Sequence, residues 1–138
     1  MKHELSIIPA PDPRLVPRYL LEQVKDRNWS VEQWYENQIS LIGVDSNILL
    51  VIIDKQHFIK GFVSLTLDNF DGCLFINTFS VDAEFQRKSK LIKFIKRYIT
   101  DLAKGLGLER ILWSARRHKA LEKYGFQESE YKLMEYRL

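Results

Sequence analysis

Seven cations crowd between Arg87 and Lys104, namely Arg87, Lys88, Lys90, Lys93, Lys96, Arg97 and Lys104, and only Asp101 opposes them. A segment this positive attracts phosphates, whether on a cofactor, a nucleic acid or an acidic protein. A solvated helix face is the competing reading, and composition does not choose between them. Other chemistries find less support. His3, His57 and His118 show no metal-ligand spacing with one another or with Cys73. There is no Gly-x-Ser-x-Gly elbow and no Walker-type loop. Cys73 is the single cysteine. It cannot close an internal disulfide, and no histidine or basic residue stands beside it to activate the thiol, so it reads as an apolar strand filler in a reducing compartment. Asp82 and Glu84 fall in a loop and read as solvated carboxylates. His118, between Arg117 and Lys119, reads as an exposed histidine, with a base or proton relay as the alternative.

The elements that must position these residues follow from hydrophobic periodicity. Leu5–Ile8 reads as a short strand. Asp12-Pro13 is a cap and first turn, and a helix is expected from Pro17 to about Asp26 with Val16, Tyr19, Leu20 and Val24 inward. Ser30 followed three residues later by Gln33 is a capping box, ahead of a stripe of Val31, Trp34, Tyr35, Ile39 and Ile42. Trp34 and Tyr35 at this spacing read as core rather than a stacking platform. Strands are expected over Ile48–Asp54, Phe58–Leu67 and Cys73–Val81, with turns at Asp54–His57 and Asp68–Gly72. The period then changes. Leu91, Phe94, Ile95, Tyr98, Ile99 and Leu102 mark an amphipathic helix from about Lys88 to Lys104, stopped by Gly105-Leu-Gly107. Ile111–Trp113 is a strand, Arg117–Tyr124 a short helix capped by Gly125, and Tyr131–Leu138 a final strand. The resulting order, β-α-α-β-β-β-α-β-α-β, predicts a mixed α/β (α+β) domain: a mostly antiparallel central sheet flanked by helices, with one strand–helix–strand crossover near residues 73–114.

At 138 residues the chain is expected to form one domain, 1–138. Its 46% hydrophobic content excludes disorder and collagen-like repeats. The longest apolar run, Ile48–Ile53, is far short of the roughly 20 residues of a membrane helix, so no membrane partner is expected. Met-Lys-His-Glu-Leu at the start has no signal-peptide stretch, which makes the cytoplasm the expected compartment. The net charge of +3 conceals a division. Residues 1–85 hold 7 Lys and Arg against 12 Asp and Glu, a balance of −5, and residues 86–138 hold 14 against 6, a balance of +8. The basic half suits an acidic protein partner. Nucleic acid is not expected, because Phe94 and Tyr98 fall in the apolar stripe and are not available for stacking on bases.

Three segments carry a family resemblance. Phe79-Ser-Val-Asp-Ala-Glu-Phe-Gln86 reads as a strand ending in valine and a short loop; Gln86-Arg-Lys-Ser-Lys-Leu91 precedes the long helix; and Leu121-Glu-Lys-Tyr-Gly-Phe126 closes the region. Together with the element order over residues 4–138, they resemble the GCN5-related N-acetyltransferases, the GNAT superfamily. The family writes Gln/Arg-x-x-Gly-x-Gly/Ala before its helix and Tyr-Glu-Lys-Leu-Gly-Phe at its close.

The resemblance implies an acetyl-CoA-dependent N-acetyltransferase acting on an amine of a small molecule or protein. It implies that the backbone of Phe79, Ser80 and Val81 pairs with the pantetheine arm, and that Gln86, Arg87, Lys88, Ser89, Lys90 and Leu91 hold the phosphates. A helix start suits that task, since its unpaired amides and partial positive charge favour a pyrophosphate. The departures are specific. Ser89 stands for the first glycine and Leu91 for the glycine or alanine, where leucine's place in the apolar stripe turns it to the core. Asn77-Thr-Phe-Ser80 lacks the family's strand carboxylate. Leu121 stands at the family's tyrosine acid, and Tyr124 occupies a buried leucine position and reads as packing. No catalytic residue is therefore assigned. The alternative is a GNAT-like binding or assembly protein without turnover, as resembled by compact proteins with eroded motifs, some of them encoded by bacteriophages.

Overall fold

The computed structural model describes residues 5–25, 27–86, 88–113, 127–128 and 134–138. Its strands are β1 (Ser6–Pro9), β2 (Asn47–Ile53), β3 (Ile59–Asp68), β4 (Cys73–Val81), β5 (Arg110–Trp113), β6 (Gln127–Glu128) and β7 (Met134–Arg137), with helices α1 (Arg18–Glu22), α2 (Val31–Ser40) and α3 (Ser89–Gly105). The strands pair in the order β1-β2-β3-β4-β5-β7-β6. The β1–β2, β5–β7 and β6–β7 ladders are antiparallel and β4–β5 is parallel, as a strand–helix–strand crossover through α3 requires. This is the mixed α/β, mostly antiparallel architecture that the element order predicts. The chain forms two compact units, Met1–Ser64 with Thr78–Gln86, and Leu65–Asn77 with Arg87–Leu138.

In the first unit, Asp12 accepts from the Arg14 amide at 2.9 Å and caps a 3-10 turn, Pro13–Leu15. α1 starts after Pro17, as expected, but ends at Glu22 rather than near Asp26. Arg27 supplies the reason: its guanidinium donates to the carbonyls of Glu22 (3.1 Å) and Val24 (3.0 Å), satisfying groups that a longer helix would have paired. The capping box at Ser30 forms in both directions, with Gln33 N on Ser30 Oγ at 3.0 Å and Ser30 N on Gln33 Oε1 at 2.7 Å.

The inward face of α2 differs from the expected stripe. Val31, Trp34 and Gln38 are buried, whereas Ile39 and Ile42 are exposed. Gln38 is tolerated inside because Asn47 Nδ2 donates to its side-chain oxygen at 3.0 Å. Trp34 packs edge-on to Tyr35 and Phe62, at 5.5 and 5.3 Å between centroids, confirming these rings as core. Around them lie Val16, Leu20, Leu21, Leu49, Val51 and Ile53.

In the second unit, Asp68 Oδ1 accepts from the amides of Phe70 and Asp71 and shapes the β3–β4 turn. Cys73 is buried on β4, the filler role expected of it. The inward face of α3 is Leu91, Ile95, Ile99 and Ala103. Its end is a Schellman motif: Leu108 N reaches Ala103 O and Gly107 N reaches Lys104 O, both at 3.0 Å, with Gly107 at φ +74°. Phe94 does not join the buried face; it is 39% exposed and Tyr98 is half-buried. The helical stripe is narrower than six apolar residues suggest, because only the i, i+4 row faces inward. β6 was not legible as a strand. The expected helix Arg117–Tyr124 and Gly125 lie outside the described residues, and Met134–Arg137 form the strand expected there.

Candidate cofactor site

The end of β4, in the first unit, is held by polar contacts from α1. Ser80 is buried, and its hydroxyl donates to the Leu20 carbonyl at 2.6 Å, one of the carbonyls left over at the end of α1. Gln23 Nε2 donates to Ser80 Oγ (2.8 Å) and to the Val81 carbonyl (2.6 Å). Gln86 Nε2 reaches the same carbonyl at 3.2 Å. Phe79 is half-buried and Val81 buried. Gly61 makes this close packing feasible, since a Cβ there would lie 2.9 Å from the Ser80 carbonyl oxygen and 3.0 Å from Ile52 Cδ1.

Asp82 and Glu84 follow, and neither is a free carboxylate. Asp82 accepts from the Glu84 amide (3.1 Å) and from the Tyr19 hydroxyl (2.7 Å). The Glu84 amide first, and the Tyr19 hydroxyl second, hold its carboxyl below the usual range. Lost hydration, then the bond to Asp82, pushes the Tyr19 phenol up to about 12. Glu84 lies 3.5 Å from Lys60 Nζ. Asp82 thus serves the local structure, whereas Glu84, with its side chain 52% exposed, is the solvated loop carboxylate expected.

The start of α3, in the second unit, has Lys88 as N-cap residue with no side-chain cap. Leu91 N and Ile92 N both donate to the Lys88 carbonyl, at 3.1 and 3.3 Å. The Ser89 and Lys90 amides take no partner among the described residues, the ordinary condition of a first helical turn. Ser89 and Lys90 are exposed, while the Leu91 side chain is 6% exposed and belongs to the buried face. The bulky residue at the family's small position therefore leaves the helix mouth. Arg87, His118, Leu121 and Tyr124 lie outside the described residues. Among the described residues no group of three or more His, Cys, Asp or Glu is placed to hold a metal, and no helix is long and apolar enough to cross a membrane.

Periodicity missed Gln23 and turned Tyr19 inward, whereas Tyr19 is 43% exposed with its hydroxyl on Asp82; their partners lie 57 and 63 residues away. No local signal announces such a pair.

Comparison with solved structures decides the fold. A chimera of the spermidine N-acetyltransferase SpeG of Vibrio cholerae with hSSAT superposes with a TM-score of 0.77 at 17% identity, covering 97% of this chain and 95% of that one. The V. cholerae spermidine N-acetyltransferase in complex with CoA and spermine gives 0.69 at 17% identity, covering 99% and 94%. The chain carries the GNAT acetyltransferase fold. An IAA acetyltransferase from Bacillus cereus agrees, with a TM-score of 0.66 at 15% identity, covering 98% of this chain and all (100%) of that one. No protein-family model matches the sequence, and no curated protein sequence matches it.

Proposed function

We propose that this GNAT-fold chain is an N-acetyltransferase that moves acetyl from acetyl-CoA to an amine of a small molecule or protein. The observation that carries the reading is the start of α3: two amides without partners among the described residues, no side-chain cap, lysines at 88 and 90, and Leu91 turned inward. These features suit a diphosphate. In the reaction the amine nitrogen attacks the thioester carbonyl, the carbon–sulfur bond breaks, and the departing thiolate takes up the proton that the amine loses. The chain's own part is binding and orientation: the Ser89 and Lys90 amides with Lys88, Lys90 and Arg87 for the phosphates, and the Phe79–Val81 backbone, fixed by Gln23 and Ser80, for the pantetheine arm. A neighbour that binds CoA and spermine supports an amine acceptor. Both units are read as one working domain, 1–138, acting in the cytoplasm.

A second reading, a GNAT-like binding or assembly protein without turnover, draws on the engagement of Asp82 and Glu84 and on Asn77-Thr-Phe-Ser80, which offers no base. Melting with acetyl-CoA, paired with detection of free CoA thiol over a panel of polyamines and peptide amines, separates the readings. At a hundredfold excess over Kd, binding adds about 2.7 kcal/mol, several degrees in Tm. A shift with thiol release supports the transferase. A shift without release across the panel favours the second reading, and no shift at millimolar acetyl-CoA defeats the first.

A further inference from the structure

Beyond Lys90, the outer face of α3 has no place in the reading above. At about 100° per residue, Lys90, Lys93, Phe94, Arg97, Asp101 and Lys104 fall within one arc of roughly 100°. All six are exposed, opposite or beside the buried row Leu91, Ile95, Ile99 and Ala103. From Lys90 to Lys104 the arc runs about 21 Å along the axis at about 1.5 Å per residue. Among the described residues, no ion pair reaches Lys90, Lys93, Arg97 or Lys104, and Asp101 is bonded to none of them. Four cations without an ion pair among the described residues, against the single carboxylate of Asp101, thus line one face, with Phe94, 39% exposed, among them. The expected burial of Phe94, which spoke against nucleic acid, does not hold.

We propose that this face binds single-stranded nucleic acid, with Lys93, Arg97 and Lys104 on successive phosphates and the Phe94 ring stacked on a base. The charge complementarity is direct. A line of cations follows a phosphate backbone, and the π-face of an exposed ring accepts any unpaired base. An acidic protein fits less well, because Phe94 is the one large apolar side chain exposed on the arc, too little for the apolar centre of a protein interface. A lone ring is likewise a poor anchor for a lipid surface. This proposal stands apart from acetyl-CoA binding, since Lys93, Phe94 and Arg97 take no part in that site.

The test is fluorescence anisotropy of a labelled oligo-dT titrated with the full chain, over a range of salt concentrations. Binding should weaken with salt at a log–log slope of about −2, as three phosphate contacts require. Phe94→Ala should weaken it about fivefold or more, and Lys93→Glu with Arg97→Glu at least as much, with circular dichroism and Tm unchanged. Saturating acetyl-CoA should leave the affinity as it was. Absence of binding at low salt overturns the proposal, as do variants that bind like wild type. Equal binding to duplex DNA of the same length, or to polyglutamate, also overturns it, the latter in favour of an acidic protein.

Discussion

Replacing Ser80 with alanine tests the tie between α1 and the end of β4. The hydroxyl makes two hydrogen bonds, 2.6 Å to the Leu20 carbonyl and 2.8 Å from Gln23 Nε2. Gln23 keeps its 2.6 Å bond to the Val81 carbonyl after the change, so it is not stranded. Leu20 is: no other donor reaches its carbonyl among the described residues, and its residue is fully buried. A lost bond is worth about 1 kcal/mol and an unsatisfied buried carbonyl about 1–3 kcal/mol, so Ser80→Ala should cost roughly 2–4 kcal/mol. Gln23→Leu should cost less, about 1–2 kcal/mol, because Ser80 still donates to Leu20 and Gln86 still reaches Val81. The two residues share one bond, so the double variant should fall short of the sum by about 1 kcal/mol. Urea unfolding of the four proteins, with unchanged m-values, reads all three numbers. Additivity within about 0.3 kcal/mol, or a Ser80→Ala variant as stable as wild type, would refute the reasoning.

Gly61→Ala forces a Cβ to within 2.9 Å of the Ser80 carbonyl, a backbone atom with little room to retreat. A loss of about 1–3 kcal/mol in urea unfolding is expected, and an unchanged midpoint would contradict the close approach. Leu91→Ala should cost about 2–5 kcal/mol by the same measurement, as for any leucine buried in a core; a neutral result would place that side chain at the helix mouth instead. Tyr19 carries a pH prediction. Its phenol titrates near 12 in the folded chain against an ordinary value near 10, so its contribution is complete below about pH 10 and is lost as pH rises through about 12. Tyr19→Phe should therefore flatten the alkaline limb of the stability curve, and the difference in tyrosinate absorbance between the two proteins should rise near pH 12. Asp82→Asn acts at the other end. Its depressed carboxyl stabilises above the unfolded value near 4 and loses that effect as pH falls through the folded value, so the variant should lose stability at neutral pH and show a shallower acid limb.

What could be read from the chain alone was what is local. The capping box at Ser30, the span of β4 and the glycine stop after α3 each depend on residues within a few positions of one another, and each stands where expected. Helix faces were legible to within a residue or two. Gln38 replaced Ile39 inside α2 because Asn47, nine positions on, satisfies its amide, and Phe94 stayed outside because only one i, i+4 row of α3 turns inward. The contacts that hold the candidate site are long-range. Gln23 to Ser80 and Tyr19 to Asp82 join segments whose composition says nothing of one another. The start of α3 was legible as a phosphate cradle through family resemblance. That Leu91 leaves it clear follows from its place in the apolar stripe, which the structure shows as burial.

Calorimetric titration of acetyl-CoA into the full chain tests the central claim most directly. Saturable one-to-one binding in the micromolar range, weakened by added salt and by Lys88→Glu with Lys90→Glu, is the expected result. No heat of binding at millimolar acetyl-CoA, from a protein that melts cooperatively, would contradict it.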